Sequence, residues 1–215
     1  MSGRTSEKAL SLFDDSYRRQ GYRLIAGVDE AGRGPLAGPV VAAAVILKQE
    51  ASLPGIDDSK KLTAKQRDRA LYLVMENSLA VGIGIIEAPE IDRMNILQAS
   101  LIAMYYAVCS LNQTPDLVLV DGNRTPGKIP KGLTPGSIKA VVSGDSKSLS
   151  IASASIIAKC LRDSLMRGHH KDFPCYGFDK HKGYGTRAHL AALNEFGPCP
   201  IHRKSFEPVK SLMGA

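Results

Sequence analysis

Apolar runs alternate along the chain with amphipathic segments, and this alternation predicts the order of strands and helices. Short continuous apolar runs, typical of buried strands, occur at 23–28, 40–47, 80–86, 116–120 and 138–142. Longer segments with apolar residues at helical spacing, or with small residues along their length, predict helices at 5–19, 63–78, 89–111 and 150–167. Strands that alternate with helices favour an α/β fold, in which helices cover the faces of a mixed sheet.

Two of these helices carry local signals. Thr63 followed by Gln66 forms a capping-box pattern, and the apolar face of the helix that it starts is expected to contain Leu71, Val74 and Met75. Pro89 is expected to start one long helix that reaches Leu111. Its core-facing stripe would consist of Met94, Leu97, Leu101, Met104 and Val108.

The first strand leads into a stretch that places two adjacent carboxylates and an arginine between glycines, Gly27-Val28-Asp29-Glu30-Ala31-Gly32-Arg33-Gly34-Pro35. Successive residues of a strand point to opposite faces, so Asp29 and Glu30 can share one metal ion only if the strand ends at Asp29. The glycines that follow favour such an end, because glycine adopts backbone angles that other residues avoid. Taken alone, the stretch is better explained as a solvated acidic turn.

Two further carboxylates occupy comparable positions. The strand at 116–120 ends at Asp121, again beside a glycine, and Asp145 lies near the start of the helix predicted at 150–167. If these acids converge with Asp29 and Glu30, their mutual repulsion requires cations. All-oxygen ligation favours Mg²⁺ or Mn²⁺, and two such ions about 4 Å apart can activate water and stabilise the leaving oxygen of a phosphodiester. Such hydrolysis is expected to leave a 5′-phosphate and a 3′-hydroxyl.

Composition narrows the class of protein. A chain of 215 residues with 44% hydrophobic content can form one domain, and a net charge of +7 suits a polyanionic partner. No apolar run reaches the roughly 18 residues of a membrane span, so no membrane association is expected. The four cysteines contain no C-x-x-C pair, which fits a reducing cytoplasm and disfavours a zinc site at Cys175, Cys199 and His202.

Six ordered motifs together resemble one family. After Asp29-Glu-Ala-Gly-Arg-Gly-Pro35 come Asp58-Ser-Lys-Lys-Leu62, Val118-Leu-Val-Asp-Gly122, Gly144-Asp-Ser-Lys-Ser148, Ala154-Ser-Ile-Ile-Ala-Lys-Cys-Leu-Arg-Asp163 and His181-Lys-Gly-Tyr184. Between residues 22 and 207 the chain resembles ribonuclease HII, the type 2 ribonuclease H family. The resemblance implies a ribonuclease H-like fold: a central five-stranded mixed sheet flanked by helices, with a helical C-terminal extension. It also implies cleavage of RNA within RNA-DNA hybrids and at ribonucleotides embedded in duplex DNA.

The resemblance assigns roles to particular residues. The family's metal-site acids fall on Asp29, Glu30, Asp121 and Asp145, although Asp145 alternatively fits a helix N-cap or a turn residue. The backbone of a glycine-arginine-glycine motif and a tyrosine sense the 2′-hydroxyl in the family, and these positions match Gly32, Arg33, Gly34 and Tyr184. Lys60, at a helix entrance, is the expected phosphate contact. Four other acids are expected to be surface, cap or ion-pair residues: Asp57, Asp116, Asp163 and Asp179.

The sequence therefore predicts a monomeric endoribonuclease that uses two divalent ions and acts in DNA replication and repair. Residues 1–20 are expected to form an N-terminal helical extension, 21–209 the catalytic domain and 210–215 a tail. The alternatives are a DNA junction resolvase or integrase, which would not need a 2′-hydroxyl, and a silent binder of hybrid duplexes. A metal-free route through paired imidazoles is disfavoured, because the spacing of the histidines demonstrates no acid-base pair: His169, His170, His181, His189 and His202.

Overall fold

The computed structural model describes residues 2–56 and 63–213, and its centre is a five-stranded sheet. The strands are β1 (Ile25–Ala31), β2 (Val40–Leu47), β3 (Ser78–Ile86), β4 (Leu117–Asp121) and β5 (Ile138–Val141), in the spatial order β3-β2-β1-β4-β5. The pairs β1-β2 and β2-β3 are antiparallel, whereas β1-β4 and β4-β5 are parallel. The predicted mixed sheet of an α/β fold is confirmed.

Eight helices occur in the described residues. They are α1 (Ser2–Arg18), α2 (Ala64–Asn77), α3 (Ala88–Met94), α4 (Ile96–Cys109), α5 (Leu149–Asp172), α6 (Phe178–His181), α7 (Arg187–Phe196) and α8 (Val209–Met213). Short 3-10 turns lie at Pro135–Ser137, Gly144–Ser146 and Pro174–Tyr176. Within residues 2–56 and 63–213, no helix combines the length and the hydropathy that a membrane crossing requires.

The two faces of the sheet are covered by different helices. Ala26 and Val28 of β1 pack into one core with α4, because alternate residues of a strand share a face. The opposite face of β1 meets α5 so closely that a Cβ on Gly27 would lie 2.1 Å from the backbone carbon of Ser150. The small residues at the start of α5 allow this approach.

Two helix predictions need correction. The segment expected as one helix from Pro89 to Leu111 is divided at Asn95, whose φ of 73° interrupts α3 and whose side chain caps α4 by accepting from the Gln98 amide. The expected stripe is only partly right, since Met104 and Val108 are buried with three alanines while Leu97 and Leu101 are partly exposed.

The capping box at Thr63 and Gln66 is confirmed at the start of α2. Val74 lies in the core as expected, but Met75 is 51% exposed. One position along a helix is a rotation of about 100°, which carries Met75 off the buried face.

The prediction that β1 ends at Asp29 is wrong. The strand continues to Ala31, with Asp29 opposite Ala43 and Glu30 opposite Ala42 of β2. The reason is that β2 offers an antiparallel partner along this whole stretch. On the other side of β1, pairing with β4 stops at Val28 and Val120, so beyond them this edge of β1 is open.

Helix α1 is attached to the beginning of α5 through a buried carboxylate. Asp14 is 1% exposed and accepts from the Ser148 hydroxyl at 2.6 Å and from the Ser150 amide at 2.9 Å. Leu10 packs into the core beside α5. The division into residues 1–20, 21–209 and 210–215 stays a prediction.

Candidate active site

A cleft of about 260 Å³ opens where pairing between β1 and β4 stops. Asp29 and Glu30 of β1 and Asp121 at the end of β4 line it. So do the loop after β1, three polar residues of α5 and an aromatic ring from the C-terminal part: Gly32, Arg33, Gly34, Ser155, Lys159, Arg162 and Tyr184. Seven of the nine site residues expected from the sequence therefore meet here. Lys60 lies outside the described residues, and Asp145 is not part of the lining.

Asp29 is the most deeply placed of the acids, with 5% of its surface exposed. Burial, followed by repulsion from Glu30 and Asp121, raises the pKa of Asp29 well above its usual value. Hydrogen bonds from the Ser155 side chain and, at 2.7 Å, from the Glu30 amide act in the opposite direction. The carboxylates are thus close enough to disfavour one another's charge.

Glu30 lies beside the one arginine of the following loop. Oε1 of Glu30 is 3.4 Å from Nη1 of Arg33, whose side chain is 52% exposed. Burial raises the pKa of Glu30, Arg33 opposes the shift, and Asp121 adds to it. Because the Arg33 side chain is largely in solvent, this ion pair contributes little to stability.

Asp145 is placed next to the cleft by a short turn. Oδ1 of Asp121 accepts a 2.6 Å hydrogen bond from the amide of Gly144, the residue before Asp145. Asp145 itself is 7% exposed and belongs to the 3-10 turn Gly144–Ser146 that precedes α5. The helix N-cap is Ser148, whose side chain accepts from the Ile151 amide, so an N-cap role for Asp145 in α5 is wrong, whereas the alternative of a turn residue agrees with its place in this turn.

Two buried arginines hold the glycine-arginine-glycine loop and the segment that follows it. Arg203 donates to the carbonyls of Gly32, Arg33 and Gly38. Arg162 donates to the carbonyls of Ala37, Pro39 and Lys182. Burial lowers the pKa of both guanidinium groups, that of Arg203 to about 9.

Gly32 has two reasons to lack a side chain. Its φ of 102° lies in the left-handed region, and a Cβ there would lie 2.1 Å from Nε of Arg162. The side chain of Arg162 therefore occupies the volume that a larger residue at position 32 would need.

Tyr184 lines the same cleft as the acids and is 44% exposed. Its ring faces Gly34, since a Cβ on Gly34 would lie 3.8 Å from Cε1 of Tyr184. Nζ of Lys159 and the guanidinium carbon of Arg162 each lie 6.0 Å from the ring centroid. The ring is thus supported by the loop and by two cations while one side remains open.

Sequence reasoning gave no role to Lys159, Arg162 or Arg203. Lys159 lines the cleft and pairs with Asp163 at 2.6 Å, as expected for Asp163. A signal for two of them was present, because Ser155, Lys159 and Arg162 recur at i, i+4 and i+7 and therefore share one face of α5. Arg203 had no comparable signal.

Comparison with known proteins identifies the family. The model of the family described as Ribonuclease HII matches residues 26–209. A Ribonuclease HII from Geobacter metallireducens is 55% identical over 95% of this chain and 93% of its own length. A second, from Chlamydia trachomatis serovar L2, is 56% identical over 93% of this chain and 89% of its own. The chain belongs to the ribonuclease HII family.

Solved structures agree on the fold of this ribonuclease HII. Ribonuclease H2 from Pyrococcus horikoshii matches with a TM-score of 0.70 at 23% identity, over 89% of this chain and 98% of its own. An RNase HII from Archaeoglobus fulgidus, solved in complex with PCNA, matches with a TM-score of 0.71 at 24% identity, over 86% and 96%. At these identities the likeness shows the ribonuclease H-like fold alone, which confirms the expectation from the motifs.

Membership makes the chain a ribonuclease H, a hydrolase that acts on RNA-DNA hybrids in a family that depends on divalent metal ions. Within residues 2–56 and 63–213, no three Asp, Glu, His or Cys side chains form a ready-made metal cage. The cleft nevertheless fits Mg²⁺ or Mn²⁺ by its chemistry, because its carboxylates are oxygen donors that repel one another. Mg²⁺ usually takes one or two carboxylates together with water and substrate phosphates rather than a cage made only of protein.

Proposed function

We propose that this ribonuclease HII cuts the RNA strand of hybrids and also cuts at single ribonucleotides embedded in duplex DNA. The observation that carries the proposal is the meeting of Asp29, Glu30 and Asp121 at one cleft, beside the loop 32–34 and Tyr184. The carboxylates suit phosphodiester hydrolysis, and the loop and ring suit recognition of a single sugar. The expected products carry 5′-phosphate and 3′-hydroxyl ends.

The proposed catalytic residues are Asp29, Glu30, Asp121 and Asp145, which would together hold two Mg²⁺ or Mn²⁺ ions. Although β1 continues past Asp29, both Asp29 and Glu30 line the cleft, and with two ions they need not share one. When bound, such ions supply positive charge that activates the attacking water and stabilises the leaving oxygen. Asp145 joins this set because the hydrogen bond from Gly144 to Asp121 places the turn that contains it at the same end of the sheet. Neutralisation by the ions would also lower the raised pKa of Asp29.

The loop 32–34 is proposed to contact the ribonucleotide through its backbone. Arg203 holds the carbonyls of Gly32 and Arg33. In a trans peptide the N–H points opposite to the C=O, so the amides of Arg33 and Gly34 point away from Arg203. Glycine at either side of Arg33 lets a sugar and its phosphate approach these amides closely.

Tyr184 is proposed to distinguish the nucleotide at the ribonucleotide-to-DNA junction. Its ring offers a flat surface for stacking and its hydroxyl offers a polar group at the ring edge. The ring lies so close to the loop that a Cβ on Gly34 would be in van der Waals contact with it, so loop and ring could contact the same nucleotide. Lys60 and the cleft residue Lys159 are proposed to contact phosphates, which adds affinity without sequence selection.

Three wider aspects are part of the same proposal. Removal of ribonucleotides places the enzyme in DNA replication and repair. All four cysteines, which lie in the described part of the chain, are free thiols, which suits a reducing cytoplasm. A monomer is proposed, because each of the residues named above comes from one chain.

A single assay tests the proposal. A DNA duplex with one embedded ribonucleotide, an all-DNA control and an RNA-DNA hybrid are incubated with the enzyme in EDTA, Mg²⁺ or Mn²⁺. We expect metal-dependent cleavage of the first and the third only. Cleavage of the all-DNA duplex or of DNA junctions would favour the resolvase alternative, and binding without any cleavage would favour a silent hybrid binder.

A further inference from the structure

A row of neighbouring imidazoles lies next to the backbone of Tyr184, outside the cleft. His189 of α7 and His202 are 0% and 1% exposed, and their Nε2 atoms are 3.0 Å apart. The ring of His181 stacks on that of His189, with centroids 4.4 Å apart. The proposed mechanism uses none of these residues, although burying two adjacent imidazoles has a cost that their arrangement must offset.

The backbone amide of Cys199 fixes the direction of every hydrogen bond that runs through His202 and His189. The backbone amide of Cys199 can only donate, and it lies 3.0 Å from Nδ1 of His202. Nδ1 of His202 is therefore the acceptor, so a neutral His202 carries its proton on Nε2 and donates it to Nε2 of His189. A neutral His189 then carries its own proton on Nδ1, which lies 2.9 Å from the carbonyl of Tyr184.

The last acceptor in this series of hydrogen bonds is the carbonyl of Tyr184, a residue that lines the cleft. The Tyr184 carbonyl also accepts from the Thr186 amide at 2.8 Å, while the Tyr184 amide donates to the His181 carbonyl at 3.0 Å. The backbone of Tyr184 is thus held on the side opposite to its exposed ring. The ring itself has no hydrogen bond with which to orient the loop among those that the structure describes.

This series of hydrogen bonds can form only when the imidazoles of His189 and His202 are both neutral. A second proton on His189 would set its Nε2–H against that of His202 across 3.0 Å, and a second proton on His202 would set its Nδ1–H against the Cys199 amide across 3.0 Å. The groups that face the pair offer no compensating negative charge: His181 from α6, the Cys199 thiol and the aromatic rings of Tyr176 and Phe178. Burial lowers the pKa of both histidines, that of His202 to about 4.

We propose that His189 and His202 are positioning residues, which set the place of Tyr184 through a one-directional relay of hydrogen bonds from the Cys199 amide. The relay would make ribonucleotide recognition depend on residues that never touch the substrate. This inference rests on the proposed recognition role of Tyr184, so its test must separate the relay from that role.

The relay has a spectroscopic signature that does not depend on activity. NMR of the full chain labelled with ¹⁵N-histidine, at about pH 7.5, reports which ring nitrogen carries the proton. We expect the Nε2–H tautomer for His202 and the rarer Nδ1–H tautomer for His189. The Nε2–H tautomer at His189, or a charged imidazole at either position, would overturn the proposal.

A double-mutant cycle tests whether the relay acts through Tyr184. Loss of one hydrogen bond predicts that His189→Ala lowers kcat/KM on an embedded ribonucleotide roughly two- to tenfold. His189→Asn, whose side-chain amide replaces the Nδ1 donor, should retain more activity. In a Tyr184→Ala background, His189→Ala should cost almost nothing further. His169→Ala is the matched control, a histidine of α5 outside the relay, and should match wild type.

The outcomes are distinguishable. An equal loss from His189→Ala with and without Tyr184 would overturn the positioning role, because the effect would not pass through that residue. A Tyr184→Ala enzyme as active as wild type would instead refute the proposed recognition role. The tautomers would in that case still decide whether the relay exists, and they are read from the unmutated chain, so a variant that fails to fold does not hide the answer.

Discussion

The Asp121 carboxylate accepts a 2.6 Å hydrogen bond from the amide of Gly144, and this contact connects the end of β4 to the turn that contains Asp145. The space around Gly144 is small, since a Cβ at this position would lie 2.6 Å from Cδ1 of Ile151 and 3.2 Å from Oδ1 of Asp121. The contact brings acids from two distant parts of the sequence to the same end of the sheet. The acidic cluster is therefore a product of the sheet order rather than of local sequence.

Replacement of Asp121 by Asn should abolish cleavage while leaving the metal-free protein as stable as wild type, or more stable. The Asn carbonyl can still accept from Gly144, and the repulsion that helps to raise the pKa of Asp29 is removed. Melting temperatures of both proteins in EDTA check this expectation. A fall of several degrees in the variant would show that Asp121 is structural.

Replacement of Gly32 by Ala should destabilise the fold by more than about 1 kcal/mol, because both the backbone angle and the Arg162 side chain oppose a Cβ. Urea denaturation measures the loss. Gly136→Ala is the matched control, since its Cβ would meet nothing within 4 Å. Equal stability of the two variants would mean that Arg162 does not constrain the loop.

Substitutions of Tyr184 should change the activity on two substrates to different extents. Phe at this position should keep much of the activity, whereas Ala should lose about 1–3 kcal/mol of substrate interaction, which is roughly ten- to a hundredfold in kcat/KM. The loss should be larger for one embedded ribonucleotide than for a continuous hybrid, which offers many registers. Equal losses on both substrates would contradict the junction-sensing role.

Acid should destabilise the protein through His202. Its folded pKa of about 4 lies below the ordinary 6.5, so between these values the unfolded chain binds more protons. This contribution is complete above about pH 6.5 and is lost as the pH falls towards 4, by up to about 3 kcal/mol. His202→Asn keeps an acceptor for the Cys199 amide but cannot titrate. Its unfolding free energy should therefore fall less than that of wild type between about pH 7.5 and 4.5; parallel losses would exclude His202 as the cause.

Local patterns were sufficient for most of the fold. Apolar runs predicted all five strands, and β2 at Val40–Leu47 has the expected bounds. Asn95 was missed because a single capping residue inside an apolar-periodic segment leaves the helical spacing unchanged. The end of β1 was misplaced because it is set by the length of β2, a pairing that no local window contains.

The candidate site likewise contains residues that could be predicted from the sequence and residues that could not. Asp29 and Asp121 could be proposed from the sequence, because an apolar run that leads into an acid with a glycine nearby is visible locally. Arg203 could not, since its contact with Gly32 joins residues 171 positions apart. The relay through His189 and His202 was equally hidden, because the spacing of the histidines says nothing of which ring nitrogens meet.

The most direct test of the cleft as the metal-dependent active site is the rate of hybrid cleavage as a function of Mg²⁺ or Mn²⁺ concentration for single carboxylate variants. Wild type and Asp172→Asn, which changes an exposed carboxylate at the end of α5, should show the same saturable metal dependence. Asp29→Asn and Asp121→Asn should show no cleavage at any metal concentration, although both still bind hybrid. Metal-dependent cleavage at the wild-type rate by either cleft variant would contradict the account.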